Sequence, residues 1–135
     1  MEAKINNIFQ VLESEKGKPM PLKYKLINNS PLTDNELIYN HNLNLYGTSL
    51  KTLPDNFTVN GYLVLAYSKI KQLPNNLIVC GNLSIDHTKI NELPEDLLIK
   101  GDLYCWITPM ANKMKNDPSL FEKYSKQVKG EIYYK

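Results

Sequence analysis

The sequence predicts an α+β fold organised around a β-solenoid of about three to four coils, with a helix closing each end. Three observations predict it. The segment from Leu43 to Gly101 superposes on itself at a shift of 20 residues, apolar residues within that period alternate as in strands, and both flanks carry apolar residues at helical spacing. A chain of 135 residues with 42% apolar composition accommodates one compact domain, read here as 1–31, 32–110 and 111–135 for leading flank, repeat and trailing flank.

From Ala3 to Lys16, Ile5, Ile8, Phe9 and Leu12 fall at i, i+3, i+4 and i+7, the spacing of an amphipathic helix that stops at Gly17 before Pro19 and Pro21. Leu22, Tyr24 and Leu26 then alternate with Lys23 and Lys25, which predicts a leading strand solvated on its lysine side.

Three full copies of the repeat follow: LNLYGTSLKTLPDNFTVNGY, LVLAYSKIKQLPNNLIVCGN and LSIDHTKINELPEDLLIKGD. With Leu43 as slot 1, that slot holds Leu43, Leu63, Leu83 and Leu103; slot 3 holds Leu45, Leu65, Ile85 and Cys105; slot 8 holds Leu50, Ile70, Ile90 and Met110. Slots 11 and 12 are Leu-Pro in every full copy, slot 15 holds Phe57, Leu77 and Leu97, slot 17 Val59, Val79 and Ile99, and slot 19 Gly61, Gly81 and Gly101. Upstream, Leu37 and Tyr39 fit slots 15 and 17 while His41 stands at the glycine position, so that half-copy reads as a degraded first coil.

Slots 1 and 3 make one short strand with its apolar residues on one face, and slots 15 and 17 make a second. The slot 12 proline and the slot 19 glycine turn the chain between them, and positive φ is the usual reason for a recurring glycine. A single coil cannot bury its own apolar side. Stacked coils about 4.8 Å apart bury a continuous ladder and satisfy each other's strand hydrogen bonds.

Slots 1 to 8 read LxLxxTxL, which resembles the conserved half of a leucine-rich repeat with Thr48, Ser68, Thr88 and Thr108 in the usual asparagine place. The short period and the Leu-Pro pair resemble the leucine-rich repeats of bacterial effectors and, more closely, small repeat proteins of phages and plasmids. The pattern departs from that family in two respects. The leucine expected three residues before slot 1 is replaced by Asn40, Asn60, Cys80 and Lys100, and an extra apolar strand precedes the glycine. A nearly straight two-stranded coil and a curved horseshoe both fit. The resemblance implies a protein-binding role, and the phage-type likeness implies a counter-defence inhibitor such as an anti-CRISPR.

Beyond the repeat, Asp117 is placed to cap a helix with Pro118 in its first turn, and Leu120, Phe121, Tyr124 and Val128 share a face before Gly130. The two flanking helices are expected to cover the ends of the stack, where core and strand edges are otherwise open.

Composition narrows the function. Sixteen basic residues, all lysine, oppose 14 acidic ones, and a net charge of +2 gives no long-range field, so any electrostatic role must come from local patches. No apolar run reaches the roughly 18 residues of a membrane span. The first residues carry Glu2, Lys4 and Asn6 among apolar ones, unlike a secretory signal, so a cytoplasmic protein without membrane contact is expected. His41 and His87 occupy different slots, Cys80 points outward and Cys105 inward, and the glycines recur singly, so the sequence offers no catalytic constellation, metal site, cofactor cradle or disulfide. The Thr/Ser column at slot 6 is read as bonding turn backbone of the next coil, and Asn56, Asn75 and Asn76 as turn formers.

Function is therefore sought on the surface. The outward positions of the first strand and its corner carry Tyr46, Tyr67, His87, Tyr104 and Trp106, the residue types that anchor protein interfaces. The alternative for Tyr104 and Trp106 is burial under the C-terminal helix. Ile38, Thr58, Ile78 and Leu98 form an outward column at slot 16, to be covered by the N-terminal helix or used for self-association. Lys51, Lys69, Lys71 and Lys89 form a basic edge at slots 7 and 9, opposite Asp55, Glu95 and Asp96. The expectation is a non-catalytic protein-binding module acting sterically, as a monomer or weak homodimer. Nucleic-acid binding along the lysine edge is the alternative.

Overall fold

The computed structural model describes residues 21–135. The expected helix from Ala3 to Lys16 lies outside the described residues. Within them the chain is a parallel β-solenoid of about three turns with a few short helices. Helix α1 (Leu22–Ile27) and a 3₁₀ turn (Asp34–Leu37) precede strands β1 (Ile38–Tyr39), β2 (Leu43–Asn44), β3 (Thr58–Val59), β4 (Leu63–Val64), β5 (Ile78–Val79), β6 (Leu83–Ser84), β7 (Leu98–Ile99) and β8 (Leu103–Tyr104). Helices α2 (Pro109–Asn116) and α3 (Pro118–Ser125) and strand β9 (Ile132–Tyr133) follow.

The period sets the register. Odd strands stack as β1-β3-β5-β7 and even strands as β2-β4-β6-β8-β9, all parallel, with partners 20 residues apart up to β8. One hydrogen bond recurs along the second sheet: Leu43, Leu63, Leu83 and Leu103 each donate their N–H at 2.9 Å to the carbonyl of Tyr62, Asn82, Asp102 and Glu131 in turn. The core is the sum of the inward slots. Slots 1, 3, 8, 11, 15 and 17 of the three full copies are buried without exception, as the alternation predicts.

Slot 19 is glycine for a different reason from the one expected. None of Gly61, Gly81 and Gly101 has positive φ; a Cβ on Gly81 would lie 2.8 Å from the Gly61 carbonyl carbon and 2.9 Å from its oxygen. Consecutive glycines stack backbone on backbone, Gly81 N–H donating to Gly61 O at 2.9 Å and Gly101 N–H to Gly81 O at 3.1 Å. Positive φ falls instead at slot 5, on Gly47, Tyr67, His87 and Ile107, and at slot 14, on Asn56 and Asn76. The asparagines are turn formers as expected, and Asn76 also donates its amide to Asn56 Oδ1 at 2.9 Å.

The slot 6 hydroxyls bond their own coil and not the next one. Thr48, Thr88 and Thr108 donate to the carbonyls of Leu45, Ile85 and Cys105 at 2.8, 2.7 and 2.8 Å. The tight corner at slots 4 and 5 brings slot 6 back under the slot 3 carbonyl. Ser68 is the exception: its buried Oγ has no partner among the described residues. Thr88→Ala is therefore expected to cost about 1 kcal/mol, and Ser68→Ala close to nothing, because only the first loses a bond. Urea midpoints of the two variants check this.

Two flank expectations are corrected. Leu22 to Ile27 is a helix and not a leading strand: the five-residue Leu-Lys-Tyr-Lys-Leu run also satisfies i, i+4 spacing, which buries Leu26 and partly buries Leu22. Lys25 Nζ reaches Glu36 Oε2 at 2.8 Å, and this contact holds the Glu36 carboxyl below its ordinary value. At the other end, residues 111–135 are not helical throughout. Thr108 caps α2 by accepting from Ala111 N–H at 3.1 Å, and Asp117 caps α3 by accepting from Ser119 N–H at 3.1 Å. Val128 then bridges Ile99, and Ile132 and Tyr133 extend the second sheet beside Leu103 and Tyr104. Val128 to Tyr133, VKGEIY, repeats Ile99 to Tyr104, IKGDLY, at a shift of 29 residues, so the last turn is a repeat coil with two helices inserted in it. Tyr124 of α3 is buried, its hydroxyl accepting from Leu93 N–H at 3.4 Å, and Gln127 Nε2 donates to Pro94 O at 2.6 Å.

Candidate functional site

The outer face of the second sheet and its slot 5 corner gather the expected aromatic residues. Tyr46 meets Tyr67 with ring centroids 5.2 Å apart, and Tyr67 stacks on His87 at 4.3 Å and 13°. Tyr104 and Trp106 form a second group, 5.7 Å apart. The two groups are tied through the backbone: His87 N–H donates to Trp106 O at 3.0 Å, and Trp106 N–H donates to Asp86 Oδ1 at 2.6 Å. Stacking follows from register, because residues at one slot in adjacent coils are held at strand spacing.

Tyr104 and Trp106 are not covered by a C-terminal helix. The neighbour is β9, whose Tyr133 stacks on Tyr104 at 4.8 Å and 11° and lies 6.2 Å from Trp106. Tyr46 remains 58% exposed, Tyr67 49%, Trp106 38% and Tyr133 39%. Beside Tyr104 lies a shallow depression of about 260 Å³ along slots 20 and 2, lined also by Asn44, Tyr62, Val64, Asn82 and Ser84. Sequence reasoning missed Tyr62, Tyr133 and Ile107. Tyr133 was findable from the IKGDLY and VKGEIY pair; Tyr62 occupies slot 20, and Ile107 continues the slot 5 column of Tyr67 and His87.

Lys51, Lys69, Lys71 and Lys89 are all exposed, and three of them, Lys51, Lys69 and Lys71, line a groove of about 560 Å³ with Thr52 and Gln72. Among the described residues the one ion pair is Lys25–Glu36, so these lysines carry uncompensated charge. The slot 16 column also faces outward: Ile38 is 54% exposed, and Thr58, Ile78 and Leu98 are partly exposed.

Cys105 is buried and Cys80 partly exposed, both as free thiols. Burial, with a smaller contribution from the charge of Asp86, pushes the Cys105 thiol up to about 12. His41 lies edge-on to Tyr39 at 5.6 Å and His87 is stacked on Tyr67, so the two histidines serve separate aromatic contacts. Among the described residues no group of three His, Cys, Asp or Glu side chains converges as a metal site, and no helix is long and apolar enough to cross a membrane. No protein-family model, curated protein or solved structure matches the chain.

Proposed function

We propose that this protein is a non-catalytic protein-binding module: a solenoid of the leucine-rich-repeat type, its ends closed by helices, that occupies a site on a larger protein and inhibits it sterically. The observation that carries this reading is the aromatic strip of Tyr46, Tyr67, His87, Tyr104 and Trp106, exposed except for the half-buried Tyr104, on a backbone locked by coil-to-coil hydrogen bonds. Such side chains bury large area at low conformational cost because their positions are set before binding. The short repeat and its phage-type pattern favour an inhibitor that counters a host defence, an anti-CRISPR being one example; the chain would then act in the host cytoplasm.

Ring geometry favours a protein over a nucleic acid. Tyr67 and His87 stack on each other, as do Tyr104 and Tyr133, so one face of each of these rings is already occupied. Base stacking needs open faces. The lysine groove supports nucleic-acid binding as a second reading, in which affinity falls with salt and the slope flattens when Lys69 and Lys71 become alanine.

Affinity capture from lysate of the native cell type, with and without nuclease and at two salt concentrations, separates the two. The expected result is one stoichiometric protein partner that survives both treatments, with Trp106→Ala weakening its capture by about 30-fold, the effect of losing a hot-spot anchor. Partners that vanish with nuclease would overturn the protein-binding reading.

A further inference from the structure

Slot 5 follows strands β2, β4, β6 and β8 of the second sheet at a left-handed corner: φ is +66° at Gly47, +60° at Tyr67, +56° at His87 and +55° at Ile107. Coil 1 shows that glycine, the residue best suited to this conformation, satisfies the corner. The later coils instead place side chains there, ending with a β-branched isoleucine, the kind least compatible with positive φ. These side chains do not serve the core. Tyr67 is 49% exposed and Ile107 67%, and His87 is exposed. The backbones of the first two are nevertheless fixed, Tyr67 N–H donating to Asp86 O and His87 N–H to Trp106 O, each at 3.0 Å. A strained residue persists where its surroundings over-determine it, and such positions concentrate at binding surfaces.

The next outward position along the chain, slot 7, carries Lys69 and Lys89, flanked by Lys51 and Lys71 at slot 9. None of the four is ion-paired among the described residues. Asp86, beside His87 in the chain, is already engaged by Trp106 N–H and the Ser84 hydroxyl. We infer that the corner column Tyr67, His87 and Ile107, with the lysines beside it, is a docking surface for an extended acidic protein segment whose apolar side chains alternate with carboxylates. This inference rests on the protein-binding reading and specifies the partner's chemistry. Ile107 argues for a protein segment, because an exposed aliphatic anchor offers a nucleobase no stacking surface.

The test titrates the ¹⁵N-labelled full chain with three probes: a random glutamate–tyrosine copolymer, poly-glutamate of equal length, and oligothymidylate. The copolymer is expected to shift amides around Tyr67, His87 and Ile107 and to bind about tenfold more tightly than poly-glutamate, with Lys69→Glu plus Lys89→Glu removing at least that factor. Equal binding of the two polypeptides, tighter binding of oligothymidylate, or no shift at all would overturn the inference. Ile107→Gly supplies an independent check: it should unfold at higher denaturant, because strain is relieved, while weakening copolymer binding. A lower midpoint would show that Ile107 serves the fold and would also overturn it. A captured partner lost with Trp106→Ala but retained with Ile107→Gly would leave the protein-binding reading standing and remove this one.

Discussion

Gly81→Val is expected to cost about 3 kcal/mol or more, because no side chain fits between stacked coils at this point. A Cβ there would lie 2.8 Å from the Gly61 carbonyl carbon, 2.9 Å from its oxygen and 2.9 Å from the Tyr62 nitrogen. All three are backbone atoms, so rotamer changes cannot relieve the overlap. Relief requires separating the coils, which lengthens the Gly81 N–H to Gly61 O bond and loosens the flanking ladder. Gly81→Ala introduces the same Cβ and is expected to be clearly destabilising as well. Gly47 gives the contrast. It does have positive φ, but none of the described residues lies within 4 Å of its Cβ position, so Gly47→Ala should lose only the roughly 1–2 kcal/mol of a left-handed L-residue. Urea unfolding of the three variants decides the matter. A Gly81→Ala midpoint equal to that of the parent would show that the coils do not approach as closely as the glycine stack requires.

The difference between these two glycines shows what could be read from the residues and what could not. A 20-residue period with fixed apolar slots determines which side chains face inward, since alternation leaves one choice of face for each strand, and every inward slot of the three full copies is buried. The period also implies parallel stacking in register. It does not reveal why a slot is glycine, because close approach and positive φ leave the same signature in one sequence. Short apolar runs are ambiguous in the same way. Leu22 to Leu26 satisfies both strand alternation and helical i, i+4 spacing, and tertiary burial of Leu26 decides for the helix. The last coil was obscured by insertion: a shift of 29 breaks the search at 20 although the hexapeptides match. At the candidate site, the outward aromatic residues were legible as a strip from register alone. Their mutual stacking, and the arrival of Tyr133 in place of a helix, depend on side-chain packing and on that hidden coil.

Leu83→Ala tests the solenoid as a load shared between neighbours. Leu83 is wholly buried at slot 1 of the central even strand, in register with Leu63 on one side and Leu103 on the other. Truncation removes its apolar contacts and leaves a cavity bounded by coils whose spacing is fixed by backbone hydrogen bonds, so collapse around it is limited. The expected cost is about 2–5 kcal/mol. Leu43→Ala should cost less, since among the described residues β2 pairs with β4 alone and Leu43 sits at the end of the column, where relaxation is easier. Leu98→Ala provides the orientation control: it lies on a strand of the other sheet but points outward at slot 16, and a change within about 0.5 kcal/mol is expected. The ranking Leu83, then Leu43, then Leu98 follows from nearest-neighbour coupling together with the inward and outward assignment. Equal costs at Leu83 and Leu98 would refute the assignment of faces. Equal costs at Leu83 and Leu43 would instead show that the stack unfolds as one cooperative unit with no weaker end, and a partner that grips the strip from Tyr46 to Trp106 would then meet a surface of uniform stiffness.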